Sequence, residues 1–185
     1  MDRQGWRPGP KHRLRSARER PIMKRATRST ARPPVYRRVL WPTDFSPLAK
    51  AALPHALKMA REEGAELIAL HVVSPPVLYA ASLVSGAIWG RLEKEMREAA
   101  TDRLRRMMRA VQGKERAVRM RTLVVLGSPF VQIPRAAQRL RCDLIVLATH
   151  GHTGLRHVLL GSVAENVVRN APCPVLTVRP SGRRT

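Results

Sequence analysis

Five short apolar runs recur along the chain: Val39–Trp41, Leu67–Val73, Val118–Leu126, Leu144–Ala148 and Pro174–Val178. Each of the first four leads through turn residues into apolar positions spaced three and four apart. Runs this short and rich in branched residues read as strands, and the wider spacing reads as helix. They are too continuously apolar for a sheet with one wet face. The alternation therefore predicts an α/β fold, a three-layer open parallel sheet of five strands with helices on both faces and right-handed crossovers. In such sheets ligands bind beyond the carboxyl ends of the strands, where the strand order reverses.

The helix boundaries have chemical signals. Ser46 followed by Pro47 is a cap and a first helical residue, starting a helix that runs to about Glu63 and stops at Gly64. Pro54 falls in the middle of that helix and predicts a kink. A polar-poor connection over 77–90 precedes an amphipathic helix from Leu92 to Val111, supported by Glu93–Arg97 and Asp102–Arg106 one turn apart. Its methionines read as core filler. Ser128-Pro129 repeats the cap device ahead of a helix through Leu140, again interrupted by a proline, Pro134. The last helix follows Gly161 and ends near Asn170.

Residues 143–163 combine a strand, a loop with glycines at 151 and 154, and a Gly161-Ser162 step into a helix. That arrangement aims backbone N–H groups and a helix dipole at an anion, most simply a phosphate. A second loop, 42–46, follows the first strand and carries Asp44. An ionised carboxylate there can accept from two vicinal hydroxyls. The competing reading makes Asp44 a second helix cap and the glycines a tight turn.

Taken together these motifs resemble the universal stress protein family, over nearly everything from Val35 to Arg179. Val39-Leu40-Trp41-Pro42-Thr43-Asp44-Phe45-Ser46 is similar to the family's first strand and acidic turn, and Leu70-His71-Val72-Val73 to its second strand. Ala148-Thr149-His150-Gly151, nine residues, then Gly161-Ser162 is similar to its ATP loop, with Ala148 standing at the first glycine position. The resemblance implies a Rossmann-like fold of the adenine nucleotide alpha hydrolase-like kind, with strand order 3-2-1-4-5. It implies that Pro42 and Thr43 line a nucleoside pocket, that Asp44 holds the ribose hydroxyls and that backbone at Val72 meets the adenine edge. It further implies that Ala148, Gly151, Gly161, Ser162 and Val163 lie along the phosphates, with His152 a further candidate for phosphate contact, as is Arg156. A homodimer through the final strand, Val175 to Val178, is implied as well. The adenylyl-transfer and pyrophosphatase relatives of such folds need His-x-Gly-His or Ser-Gly-Gly-x-Asp-Ser after the first strand. Pro-Thr-Asp-Phe-Ser stands there instead. No general base is placed by motif, so catalytic residues are not assigned and any ATP hydrolysis is expected to be slow.

Composition bounds the alternatives. The 185 residues hold 35 Lys+Arg against 13 Asp+Glu, a net charge of +22. Residues 1–34 contribute 11 basic and two acidic residues among scattered prolines and glycines, and read as a disordered basic extension. The domain is expected over 35–180, with a short basic tail at 181–185. The extension suits a basic arm for nucleic acid, but a solvated tail, or translated sequence ahead of a start at Met23, is the preferred reading. Aromatic residues are 4%, too sparse for base-stacking platforms. Cys142 and Cys173 fit neither a disulfide framework nor a zinc spacing and read as structural thiols. His150 and His152 lack further ligands for zinc; a magnesium or manganese ion carried by phosphates suits the loop better. His71, inside an apolar strand, reads as a satisfied core histidine. No run is long enough to span a membrane, and the expected location is the cytoplasm.

Overall fold

The computed structural model describes residues 36–74, 86–149 and 160–179. The expected extension over 1–34 and tail over 181–185 lie outside these residues. Five strands form one parallel sheet in the order β3-β2-β1-β4-β5, as the resemblance implied. They are β1 (Arg38–Pro42), β2 (Glu66–Val73), β3 (Arg119–Leu126), β4 (Leu144–Ala148) and β5 (Val175–Val178). The intervening helices are α1 (Pro47–Ala51), α2 (Leu53–Glu63), α3 (Gly86–Gln112), α4 (Pro129–Arg139) and α5 (Ser162–Asn170).

Both faces of the sheet are covered, because successive side chains in a strand point to opposite faces. Val39, Trp41, Leu67, Ala69 and Val146 pack with Ala56 and Ala60 of α2 and with Leu104 and Met108 of α3. Leu40, Ile68, Leu70, Ile145 and Leu147 pack on the other face with Ile133, Ala136 and Ala137 of α4 and with Ala164 and Val167 of α5. A fully buried Leu, Ile or Val contributes roughly 1.5–3 kcal/mol of transfer free energy. The interior strand β4 is buried at every position, which is why its sequence does not alternate. Asp143 joins β1 to β4 at their amino ends: its Oδ2 accepts from the backbone N–H groups of Arg37 and Arg38, each at 2.8 Å.

Three local expectations are corrected. The single helix over 47–63 is two, because the chain breaks at Ala52. Its N–H turns back to the Ala49 carbonyl at 3.2 Å, and Pro54 then sits in the first turn of α2, where no intrahelical donor is needed. The Ala49 carbonyl also accepts from the buried Trp41 indole at 3.3 Å. The helix expected from Leu92 begins six residues earlier, at Gly86, so the connection over 77–90 is partly helical. The third correction concerns Ser128, which occupies the cap position of α4 but makes no capping hydrogen bond; its Oγ is buried without a partner among the described residues. Pro134 by contrast stays within α4, its ring buried, and the helix simply forgoes one internal hydrogen bond.

Candidate functional site

The strand order reverses between β1 and β4, and a cavity of about 260 Å³ opens at the carboxyl ends there. Its lining includes Pro42 at the end of β1, Thr43 and Asp44 just after it, Val72 of β2, Ala148 at the end of β4, and Gly161, Ser162 and Val163 at the start of α5. Of the ten positions singled out in the sequence these are eight; Gly151 and His152 lie outside the described residues, as do His150, Gly154, Arg156 and His157. Sequence reasoning missed Ala49, Leu70, Pro129, Ile133, Leu147, Thr149 and Ala164, which also line the cavity. Pro129 and Ile133 belong to α4, which reaches the cavity only because β3 and β2 are neighbours. The cue available beforehand was the third Pro-containing loop, Gly127-Ser128-Pro129, at the same end of the sheet.

The acidic turn is held from several sides. Thr43 N–H extends the β1–β2 ladder, donating to the Leu70 carbonyl at 2.8 Å. Thr43 Oγ1 accepts from Phe45 N–H at 3.1 Å, and Asp44 Oδ1 accepts from Ser46 N–H at 2.9 Å. Ser46 Oγ then accepts from Ala49 N–H at 3.0 Å, capping α1 as expected. Phe45 adopts φ 65, a left-handed conformation that a residue with a β-carbon rarely takes. It is held there by burial and by ring contacts: the His71 ring lies 4.3 Å away, tilted by 37°, and the Arg103 guanidinium carbon sits 4.2 Å over its face. The turn that carries Asp44 into the cavity lining is thus pinned.

On the opposite wall, Thr149 N–H donates to the Val178 carbonyl at 2.9 Å, and Gly161 N–H donates to the Thr149 carbonyl at 2.8 Å. The exit of β4 and the entry to α5 are therefore joined directly. Gly161 is the cap residue, so the first N–H groups of α5 belong to Ser162, Val163 and Ala164. These are the groups that a helix start leaves without intrahelical acceptors, at the positive end of its dipole. Leu70, Val72, Pro129, Ile133 and Leu147 give the cavity apolar lining, and Thr43, Asp44, Thr149 and Ser162 give it polar lining. Asp44 is the one ionisable side chain among the described lining residues.

Residues 35–179 match the profile of the Universal stress protein family. The chain belongs to the universal stress protein family. It is 36% identical to the universal stress protein MJ0531 of Methanocaldococcus jannaschii over 147 residues, covering 78% of this chain and 83% of that one. Among solved structures it is similar to the universal stress protein UspA from Lactobacillus plantarum, at 30% identity and a TM-score of 0.66, covering 80% of this chain and all of the other. It is also similar to a universal stress protein crystallised in complex with cAMP, at 25% identity and a TM-score of 0.52, covering 78% of this chain and 98% of that one.

Membership of the universal stress protein family does not assign the remaining polar residues, and their chemistry is ordinary. His71 is half-buried beside the acidic turn rather than sealed in the core, with Nδ1 2.8 Å from the Thr43 carbonyl. A carbonyl only accepts, so Nδ1 carries the proton. Burial holds the His71 pKa below its ordinary value of 6.5, with the Arg103 charge acting in the same direction against Asp44. Burial likewise pushes the Cys142 thiol up to about 12, with a smaller contribution from neighbouring Cys173. A thiol so far from ionisation is structural, as the sequence suggested. Among the described residues, no group of three His, Cys, Asp or Glu side chains converges as metal ligands. No helix among them is long and apolar enough to cross a membrane.

Proposed function

We propose that the protein binds an adenine nucleotide, ATP, in the cavity between the β1 and β4 loops and acts as a regulatory nucleotide-binding protein in a stress response. One observation carries the reading. Asp44 and the Gly161-Ser162 step, far apart in sequence, line the same cavity from opposite walls. A carboxylate for ribose hydroxyls then faces a helix start for phosphates, with an apolar wall beside them for the base. Asp44 holds the ribose, Pro42, Thr43 and Val72 surround the nucleoside, and Ala148, Gly161, Ser162 and Val163 run along the phosphates, joined by Gly151 and His152. The cAMP complex of a related universal stress protein supports an adenine nucleotide as the ligand class. A magnesium or manganese ion would be carried mainly by the phosphates, with the Ser162 hydroxyl, at the phosphate end of the cavity, suited to assist it.

With Asp44 engaged by ribose, no other ionisable side chain among the described lining residues can serve as a base. That favours binding over turnover. The strand β5 stands at the sheet edge with Leu176 exposed, which supports a homodimer through Val175 to Val178. Calorimetric titration with ATP, with and without magnesium, tests the binding. Absence of both heat and thermal stabilisation at millimolar nucleotide would rule it out. A sedimentation mass equal to one chain at micromolar concentration would rule out the dimer.

A further inference from the structure

The strand β3 is the sheet edge remote from β5, and α4 lies over β2, so β3 is only half-covered on that face. Between them runs a second cavity, lined by Val125 of β3 and by Gln132, Arg135, Ala136, Gln138 and Arg139 of α4. Arg135 and Arg139 are one helical turn apart, both exposed, and share one face of α4 along this groove. Arg121, also exposed, shares the strand face of Leu123 and Val125, so it projects towards the same side of the sheet. Among the described residues none of these three arginines has a carboxylate within ion-pair distance. Arg119, further along the edge, pairs in register with Glu66, which Arg38 already engages at 3.9 Å, and is left out of the set. The charge is not a property of the amino-terminal extension either. Residues 35–185 carry 24 basic and 11 acidic residues.

We propose that this groove between β3 and α4 is a site for the phosphate backbone of nucleic acid. Guanidinium groups bind phosphate oxygens in a bidentate fork, and the Gln132 and Gln138 amides supply neutral donors of the kind that also contact phosphate and sugar. An acidic polypeptide fits less well. Stable protein partners bury aromatic or large aliphatic anchors, and the groove lining has only Val125 and Ala136 as apolar members, with Phe130 and Val131 exposed on α4 outside it. A phosphate backbone needs no such anchor. With no aromatic side chain in the groove to stack on a base, binding is insensitive to sequence and strongly sensitive to salt. The site lies on the α4 side of β3 and is separate from the nucleotide cavity, so it stands whether or not ATP binds.

The test uses the full chain and a fluorescein-labelled DNA duplex, with anisotropy measured across a salt series. The paired substitution Arg135→Gln and Arg139→Gln is compared with Arg105→Gln and Arg106→Gln, which removes the same charge from exposed positions on α3, across the sheet. The groove variant should lower the slope of log affinity against log salt by about 1.8, because each phosphate that an arginine neutralises adds about 0.9 to it. The α3 variant should leave the slope near wild type, and both should melt with the wild-type protein. Equal reductions in the two variants, or no reduction in either, would assign the binding to net charge or to the amino-terminal extension and overturn the site. No binding by the wild type would overturn it outright. Displacement of the duplex by poly-glutamate at equal charge would transfer the groove to acidic polypeptides and overturn the nucleic-acid assignment.

Discussion

The ring nitrogen Nδ1 of His71 lies 2.8 Å from the carbonyl oxygen of Thr43, which ties the acidic turn after β1 to the neighbouring strand β2. The contact places a titratable group close to Asp44, and it makes the turn sensitive to what happens in β2. Because burial depresses the His71 pKa, the unfolded chain binds a proton more readily than the folded one. Stability should therefore fall as pH drops below the ordinary value of 6.5, and the fall should level off below the folded pKa. Replacing His71 by Gln, which can still donate to Thr43, should flatten urea-denaturation stability across that window. An unchanged pH slope in the variant would contradict the assignment.

Asp44 has two tasks that substitution can separate. Its Oδ1 accepts from Ser46 N–H to shape the turn, and its charge is assigned to ribose. Asp44→Asn keeps an acceptor for the turn, so the melting temperature should hold. Its ATP affinity should drop at least about tenfold, the equivalent of one charge-assisted hydrogen bond. Calorimetry giving equal affinity would remove the ribose role.

Ser46 supports the same turn from the other side by capping α1 at 3.0 Å. Ser46→Ala should lower stability by about 1 kcal/mol in chemical denaturation. Ser128→Ala should cost far less, because its buried hydroxyl has no partner among the described residues to lose. The opposite ranking would mean that the two caps are misread.

Leu67 is fully buried in β2 between α2 and α3, a site with little room to collapse. Leu67→Ala should lower unfolding free energy by about 2–5 kcal/mol, measured by urea titration. A decrease below about 1 kcal/mol would show that this core is loosely packed.

Cys142, buried and with a thiol pKa pushed up to about 12, should resist a thiol reagent at pH 8 in the folded protein and react on unfolding. Mass spectrometry of the labelled chain reads this directly, and rapid native labelling at Cys142 would refute its burial.

Much of the architecture is local chemistry. A parallel sheet buried on both faces requires continuous apolar strands, so the runs at β1, β2 and β4 announced themselves, and Ser46-Pro47 marked the start of α1 within one residue. Pro54 was ambiguous because a proline is equally at home in a kink and in a first turn. Only the choice of Ala52 as a break, made where the Ala49 carbonyl takes both Ala52 N–H and the Trp41 indole, selects between them. The start of α3 at Gly86 was invisible for a similar reason: Gly86 and Gly90 carry poor helix propensity.

The candidate site divides along the same line. Asp44 and Gly161-Ser162 were legible as single motifs, since a carboxylate turn and a glycine-led helix start have chemical meaning in a few residues. That Pro129, Ile133 and Leu147 share their cavity follows from strand order, which no local pattern encodes. Local pattern was enough for the buried strands, the starts of α1, α4 and α5, and the acidic and glycine-bearing loops, because those depend on neighbours within a turn or two of chain. Tertiary structure alone decided which loops meet, how Phe45 is held left-handed between His71 and Arg103, and how Arg135 and Arg139 come to face the β3 edge, because each needs contacts between residues distant along the chain.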